Sequence, residues 1–129
     1  MRIAIIDDDE DCHELLRQIL CDFDIEFYFS GEEVFRRYHK QEHEMPNTFV
    51  VDYYLNNELG TEAIKRLGLS DFGMLIIGMT NAYDDPSIVK AFHNVHCHRV
   101  IPKDRLTKLP QIVNWMCRKR TTKRQKKDD

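Results

Sequence analysis

Three short apolar runs, Ile3–Ile6, Thr48–Val51 and Met74–Ile77, are continuous rather than alternating, and each gives way to a residue suited to chemistry: Asp7, Asp52 and, slightly later, Thr80. A strand with one wet face alternates apolar and polar residues, so unbroken runs of this length describe strands covered on both faces. Between the runs the periodicity changes. Leu15, Leu16, Ile19, Leu20 and Phe23 recur at helical spacing from about Glu10, and Val34, Phe35 and Tyr38 follow a capping-box pair, Ser30 and Glu33.

The remaining pieces continue the same order. Ile25–Phe29 reads as a second strand, Gly60–Leu69 as a short third helix, and Asp84–Asn94, with Ile88, Val89 and Phe92 on one face, as a fourth. His98–Ile101 is a weaker fifth strand. The final helix holds Leu109, Ile112, Val113 and Met116, with Thr107 as its N-cap and Pro110 in its first turn, where a missing N–H does no harm. Five strand–helix units predict an α/β domain: a parallel sheet with right-handed crossovers and helices on both faces.

Sites in such sheets form beyond the carboxyl ends of the strands. Asp7 and Asp8, Asp52, Thr80 and Lys103, which follows the fifth strand, are therefore predicted to converge in one crevice. Carboxylates so close repel one another unless a cation lies between them. Mg²⁺ suits the place, because it prefers oxygen ligands and binds through one or two carboxylates plus phosphate oxygens. A lysine and a hydroxyl beside it supply the charge neutralisation and hydrogen bonding that phosphoryl transfer to a carboxylate requires.

Composition narrows the setting. With 129 residues, 42% hydrophobic and 32% charged, the chain is long enough for one self-sufficient core and too apolar for wholesale disorder. It has no apolar stretch of membrane-spanning length, and Asp7 interrupts the N-terminal run before a secretion signal could form. Cys12, Cys21, Cys97 and Cys117 contain no C-x-x-C pair, which fits reduced thiols and a cytoplasmic location. Seven of the ten residues 118–127 are Lys or Arg; without residues 118–129 the chain carries 12 Lys and Arg against 20 Asp and Glu, a net of −8. Residues 119–129 are expected to form a basic, disordered tail or linker to a domain of residues 1–118. Without interleaved aromatics or a reading motif, the domain itself is not expected to bind nucleic acid.

Taken together, Ile-Ile-Asp-Asp-Asp at 5–9, Val-Val-Asp-Tyr-Tyr-Leu-Asn-Asn-Glu-Leu-Gly at 50–60, Ile-Gly-Met-Thr-Asn at 77–81 and Val-Ile-Pro-Lys at 100–103 make the sequence resemble the receiver domain of two-component response regulators over about residues 2–118. The resemblance implies a flavodoxin-like sheet of strand order 2-1-3-4-5. It implies a switch, not an enzyme in its own right, with Asp52 as phosphoacceptor. Asp8 would bind Mg²⁺ directly, Asp7 through water, and Asp52 and the backbone carbonyl of Tyr54 would complete the protein's share. Thr80 would bond a phosphoryl oxygen and swing inward on activation, Asn81 would lie beside it, and Lys103 would pair with the phosphate. Gly60 would open the third helix at a position where φ > 0 is cheap for glycine. A sensor histidine kinase or phosphotransfer protein would be the partner, and the fourth helix, fifth strand and fifth helix the surface for a homodimer.

Several positions depart from the family pattern. Pro102 precedes Lys103 instead of following it, so the Lys103–Asp104 bond is predicted to be trans. Asp104 would add a negative charge near the site or cap the final helix. Asn81 stands where a small residue is common, and Tyr54 is bulky enough to screen an acyl phosphate from water. Val100 replaces the usual aromatic output switch, while Phe92 is expected in the core and Tyr83 in a loop.

Three other readings compete. The first is a receiver-like interaction module that takes no phosphate. The second is a haloacid-dehalogenase-like phosphatase using Asp7 and Asp9, although Asp11 stands where such enzymes have Thr or Val. The third is a metal site at His93, His96, Cys97 and His98, at the far end of the sheet. His13, His39 and His43 read as surface or helix residues.

Overall fold

The computed structural model describes the backbone of residues 2–128 and the side chains of residues 2–120. In chain order the elements are β1 (Arg2–Ile6), α1 (Glu10–Ile19), β2 (Asp24–Tyr28), α2 (Gly31–Tyr38), β3 (Thr48–Asp52), α3 (Gly60–Arg66), β4 (Leu75–Thr80), α4 (Pro86–Asn94), β5 (Arg99–Pro102) and α5 (Leu109–Asp128). Short 3-10 turns occupy Glu42–Glu44 and Lys103–Lys108. The strands form one parallel sheet of order β2-β1-β3-β4-β5. This is the flavodoxin-like arrangement that the resemblance implies.

The continuous apolar runs are explained by the two cores. Ala4, Ile6, Phe49, Val51, Ile76 and Val100 face Val34, Tyr38, Ala63, Ile64, Ile88 and Phe92, which come from α2, α3 and α4. Their neighbours Ile3, Ile5, Val50, Ile77, Met79 and Ile101 face Cys12, Leu16, Leu20, Ile112, Val113 and Met116 from α1 and α5. Each fully buried Ile or Val contributes roughly 1.5–3 kcal/mol of transfer free energy, so β1 and β3, buried over nearly their whole length, anchor the fold. Ser30 caps α2 as its spacing predicts, accepting from Glu33 N. Asp85 caps α4 by accepting from Ser87 N, and that helix begins at Pro86 instead of Asp84.

Three expectations about helix starts are corrected. Thr107 does not cap the final helix: it lies inside the 3-10 turn, whose end is closed by Leu109 N donating to Leu106 O. Leu106 and Leu109, both buried and three residues apart, match the three-residue period of that winding. Asp104 likewise supplies no side-chain cap. Gly60 does open α3, yet it is not among the residues with positive φ. Its lack of a side chain serves close approach, because a Cβ there would fall 1.9 Å from the Asp52 backbone oxygen. The peptide bonds of the described residues are all trans, Lys103–Asp104 included. The backbone of α5 is helical to Asp128, while the side chains of the basic segment after Arg120 lie outside the described residues.

Candidate functional site

β1 ends at Ile6, but Asp7 N still donates to Tyr28 O at 3.0 Å, which carries the β1–β2 pairing one step further and holds Asp7 fully buried. Asp7 Oδ1 accepts from Asp9 N at 2.9 Å. Asp9 turns away to cap α1, accepting from Asp11 N at 2.9 Å. Asp7 and Asp9 therefore do different jobs, which argues against the phosphatase-like pairing. Asp52 closes β3 opposite Met79, and the following Tyr53 N donates to Met79 O at 3.0 Å, so the sheet fixes the backbone on both sides of the acid.

Donor oxygens of Asp7, Asp8 and Asp52 all lie within 4.8 Å of one another, and this is the one metal-compatible cluster of three or more such side chains among the described residues. Lys103 reaches over from the end of β5. Its Nζ lies 2.8 Å from Asp7 Oδ2 and 3.3 Å from Asp52 Oδ2. The fully buried Asp7 Oδ2 is thus paired with the Lys103 ammonium. Three carboxylates share this space with one ammonium, and the surplus of negative charge fits a hard divalent cation.

Electrostatics agree with a site prepared for positive charge. Burial, reinforced by the charge of Asp7 and opposed by Lys103, pushes Asp52 up to about 7. Burial alone would lower the Lys103 pKa, but the Asp7 and Asp52 carboxylates outweigh it and the amine is held firmly protonated. Burial and the neighbouring Asp7 also push the Cys12 thiol up to about 12, so it stays a neutral packing group beside the acids.

Thr80 is buried at the end of β4 and its Oγ1 accepts from Ala82 N at 3.0 Å, which turns the loop outward. Asn81 is exposed on the rim. Thr80, Asn81, Pro102, Lys103 and Asp104 share a cleft of about 390 Å³. Tyr54 is 60% exposed, set edge-on to Tyr53 with ring centroids 4.8 Å apart, and its backbone bridges to Leu59. Val100 lies in the core opposite Gly78, where Phe92 fills the space that a Cβ on that glycine would need. Tyr83 is exposed after β4.

The His93–His98 cluster does not assemble. Cys97 Sγ accepts from Gly78 N at 3.1 Å and lies within bonding reach of the Ile76 and Arg99 carbonyls, and His98 Nδ1 accepts from Ile76 N at 3.1 Å. Cys97 and His98 finish the β4–β5 edge. His13 lies on α1, one of the two places expected for it, and is buried there, with Nε2 2.6 Å from Asp7 O and its ring against Phe27 and Phe29. Its place three residues before Leu16 and seven before Leu20, on the inward face, is the signal that points to it.

The model of the response regulator receiver domain family matches residues 3–114. Comparison with curated protein sequences gives no match. Among solved structures the chain is similar to a CheY-like response regulator receiver domain protein from Methanospirillum hungatei JF-1, with a TM-score of 0.73 and 24% identity over 99% of this chain and 98% of that one. It is also similar to the BeF3-activated DrrB receiver domain, with a TM-score of 0.72 and 19% identity over 89% and 96%. A third is the Mn²⁺-bound form of response regulator Rcp1, with a TM-score of 0.68 and 18% identity over 87% and 90%.

Proposed function

Because the chain belongs to the response regulator receiver domain family, whose members are phosphorylation-dependent signalling switches of two-component systems, we propose that its own phosphoacceptor is Asp52 and that Asp7, Asp8, Asp52 and the Tyr54 carbonyl hold Mg²⁺. The observation that carries this reading is the three-carboxylate cluster with Lys103 spanning Asp7 and Asp52.

When bound, Mg²⁺ supplies neutralisation of the carboxylates and of the incoming phosphate oxygens. The protein's residues do the rest. An Asp52 carboxylate oxygen, ionised above about 7 in the absence of metal, attacks phosphorus; the new O–P bond forms as the bond to the donor's imidazole nitrogen, or to a small phosphodonor's oxygen, breaks. Lys103 transfers its contact from Asp52 to a phosphoryl oxygen. Thr80 Oγ1, which accepts from Ala82 N, keeps its own hydrogen to donate to another. Moving that hydroxyl inward breaks the Ala82 bond, which couples phosphorylation to the β4–α4 loop.

The partner is a sensor histidine kinase or phosphotransfer protein, and the phosphodonor approaches past Asn81 and Tyr54. The α4–β5–α5 face is the candidate homodimer surface, with Val100 buried beneath it in place of an aromatic switch. Among the described residues no helix is long and apolar enough to cross a membrane, and we place the domain in the cytoplasm. Intact mass after incubation with acetyl phosphate and Mg²⁺ tests the proposal: one phosphoryl group is expected on the native chain and none on Asp52→Asn. A mass gain that survives the substitution, or no gain at all, overturns it.

A further inference from the structure

At the opposite end of the sheet from Asp52, the starts of β4 and β5 and the middle of α5 border an open cleft of about 650 Å³, within the usual size of small-molecule sites. Arg99, Lys119 and Arg120 line it together with His96 and His98, and no carboxylate is among the described residues that line it. In a body whose first 117 residues carry a net of −8, this concentration of cations is a local reversal of sign. Trp115, the chain's single tryptophan, stands in the wall with 53% of its surface exposed and Lys119 Nζ 4.8 Å from its ring centroid. Arg120 donates to Gly73 O, which ties the helix to the loop before β4. His98 Nδ1 accepts from Ile76 N, so a neutral ring carries its proton on Nε2 as a donor.

The end of α4 adds an independent observation. His96 N donates to His93 O at 3.0 Å and Cys97 N to Phe92 O at 3.1 Å, the paired bonds of a helix stop that glycine usually fills. Here the residue is His96, at φ 64, and it lines the cavity. An L side chain in that conformation is disfavoured, and strain of this kind gathers at binding sites.

We propose that this cavity is a second ligand site and that it takes a nucleotide, with the base stacked on Trp115 and the phosphates among Arg99, Lys119 and Arg120. Guanidinium groups suit phosphate oxygens in forked geometry, and an exposed indole offers the apolar face that a base requires. Lys119 exchanges its contact with the ring for one with phosphate. The site uses no group of the Asp52 cluster.

Trp115 makes the test direct, since the fluorescence of the full chain reports on this cavity. ADP, GDP and UDP are titrated in EDTA, so that phosphate cannot bridge through metal to the acids, alongside inorganic pyrophosphate, adenosine and a single-stranded oligonucleotide. Saturable quenching is expected with at least one nucleotide below about 1 mM. Pyrophosphate and adenosine should bind more weakly, Arg99→Ala and Lys119→Ala should each weaken binding about tenfold, and Asp52→Asn should leave it unchanged. His96→Gly should raise the melting temperature by a few degrees and also weaken binding, a combination that a purely structural histidine would not give. No saturable response, affinity indifferent to Arg99 and Lys119, or an oligonucleotide binding more than tenfold tighter than every nucleotide would overturn the assignment.

Discussion

The Asp52 backbone oxygen occupies the space that a side chain at Gly60 would need, a Cβ there falling 1.9 Å from it. Gly60 N also donates to Tyr53 O at 2.6 Å, so α3 is docked on the backbone of Asp52 and its neighbour. Gly60→Ala is expected to destabilise the domain by about 1–3 kcal/mol through overpacking and to slow phosphorylation by displacing Asp52. Urea denaturation and the rate of acetyl phosphate labelling check the two effects separately.

Asp52 should also tie stability to pH. Its pKa is raised to about 7 in the fold, against about 3.9 in an unfolded chain. The folded state thus holds the extra proton between these values, and its contribution to the stability of the metal-free protein is lost as pH rises from about 4 through 7. Asp52→Asn is expected to remove that slope and to stabilise the domain by about 1–3 kcal/mol at pH 8 in EDTA. Parallel stability profiles for the native and substituted chains from pH 4 to 8 would refute this.

Much of the site was legible before any coordinates, and the reason lies in the strand ends. Asp7, Asp52 and Thr80 stop apolar runs, and a parallel sheet brings the ends of its strands to one edge, so sequence order became spatial convergence. What escaped depends on contacts that no local pattern states. The resemblance gives Gly60 a positive φ at the start of the third helix, because nothing in residues 58–62 reveals that Asp52 O lies against it. The 3-10 winding at Lys103–Lys108 was hidden for a similar reason: Leu106 and Leu109 suit an α-helical stripe as well as a three-residue turn. His13 was passed over because its partner is a backbone carbonyl, Asp7 O, which has no signature in sequence.

Lys103 supplies positive charge between Asp7 and Asp52. Replacing it with methionine leaves Asp7 and Asp52 without its charge, and the metal-free chain at pH 8 should lose on the order of 2 kcal/mol. The same change removes a charge that repels Mg²⁺, so binding of the ion should become tighter. Thermal denaturation across a Mg²⁺ titration reads both, as a lower starting temperature and a midpoint at lower Mg²⁺ concentration.

Tyr54, two residues after Asp52, is 60% exposed, with the Tyr53 ring set edge-on against it. A bulky side chain this close in sequence to the proposed phosphoacceptor is expected to shield an acyl phosphate from water. The phosphorylated native chain is expected to hold its phosphoryl group for minutes or longer, and Tyr54→Ala to lose it several-fold faster. A half-life of seconds for the native chain in Mg²⁺, followed by intact mass, would count against the shielding role.

Cys97 gives the sheet an internal clock. Its thiol takes Gly78 N and lies within reach of the Ile76 and Arg99 carbonyls, so it serves as a rung between β4 and β5 where the ladder begins. A thiol reagent can reach that sulfur only when the rung lets go, whereas Cys21 on the surface reacts at once. The ratio of the two labelling rates therefore measures how often the β5 edge opens, and comparing it before and after phosphorylation shows whether the signal loosens or tightens that edge.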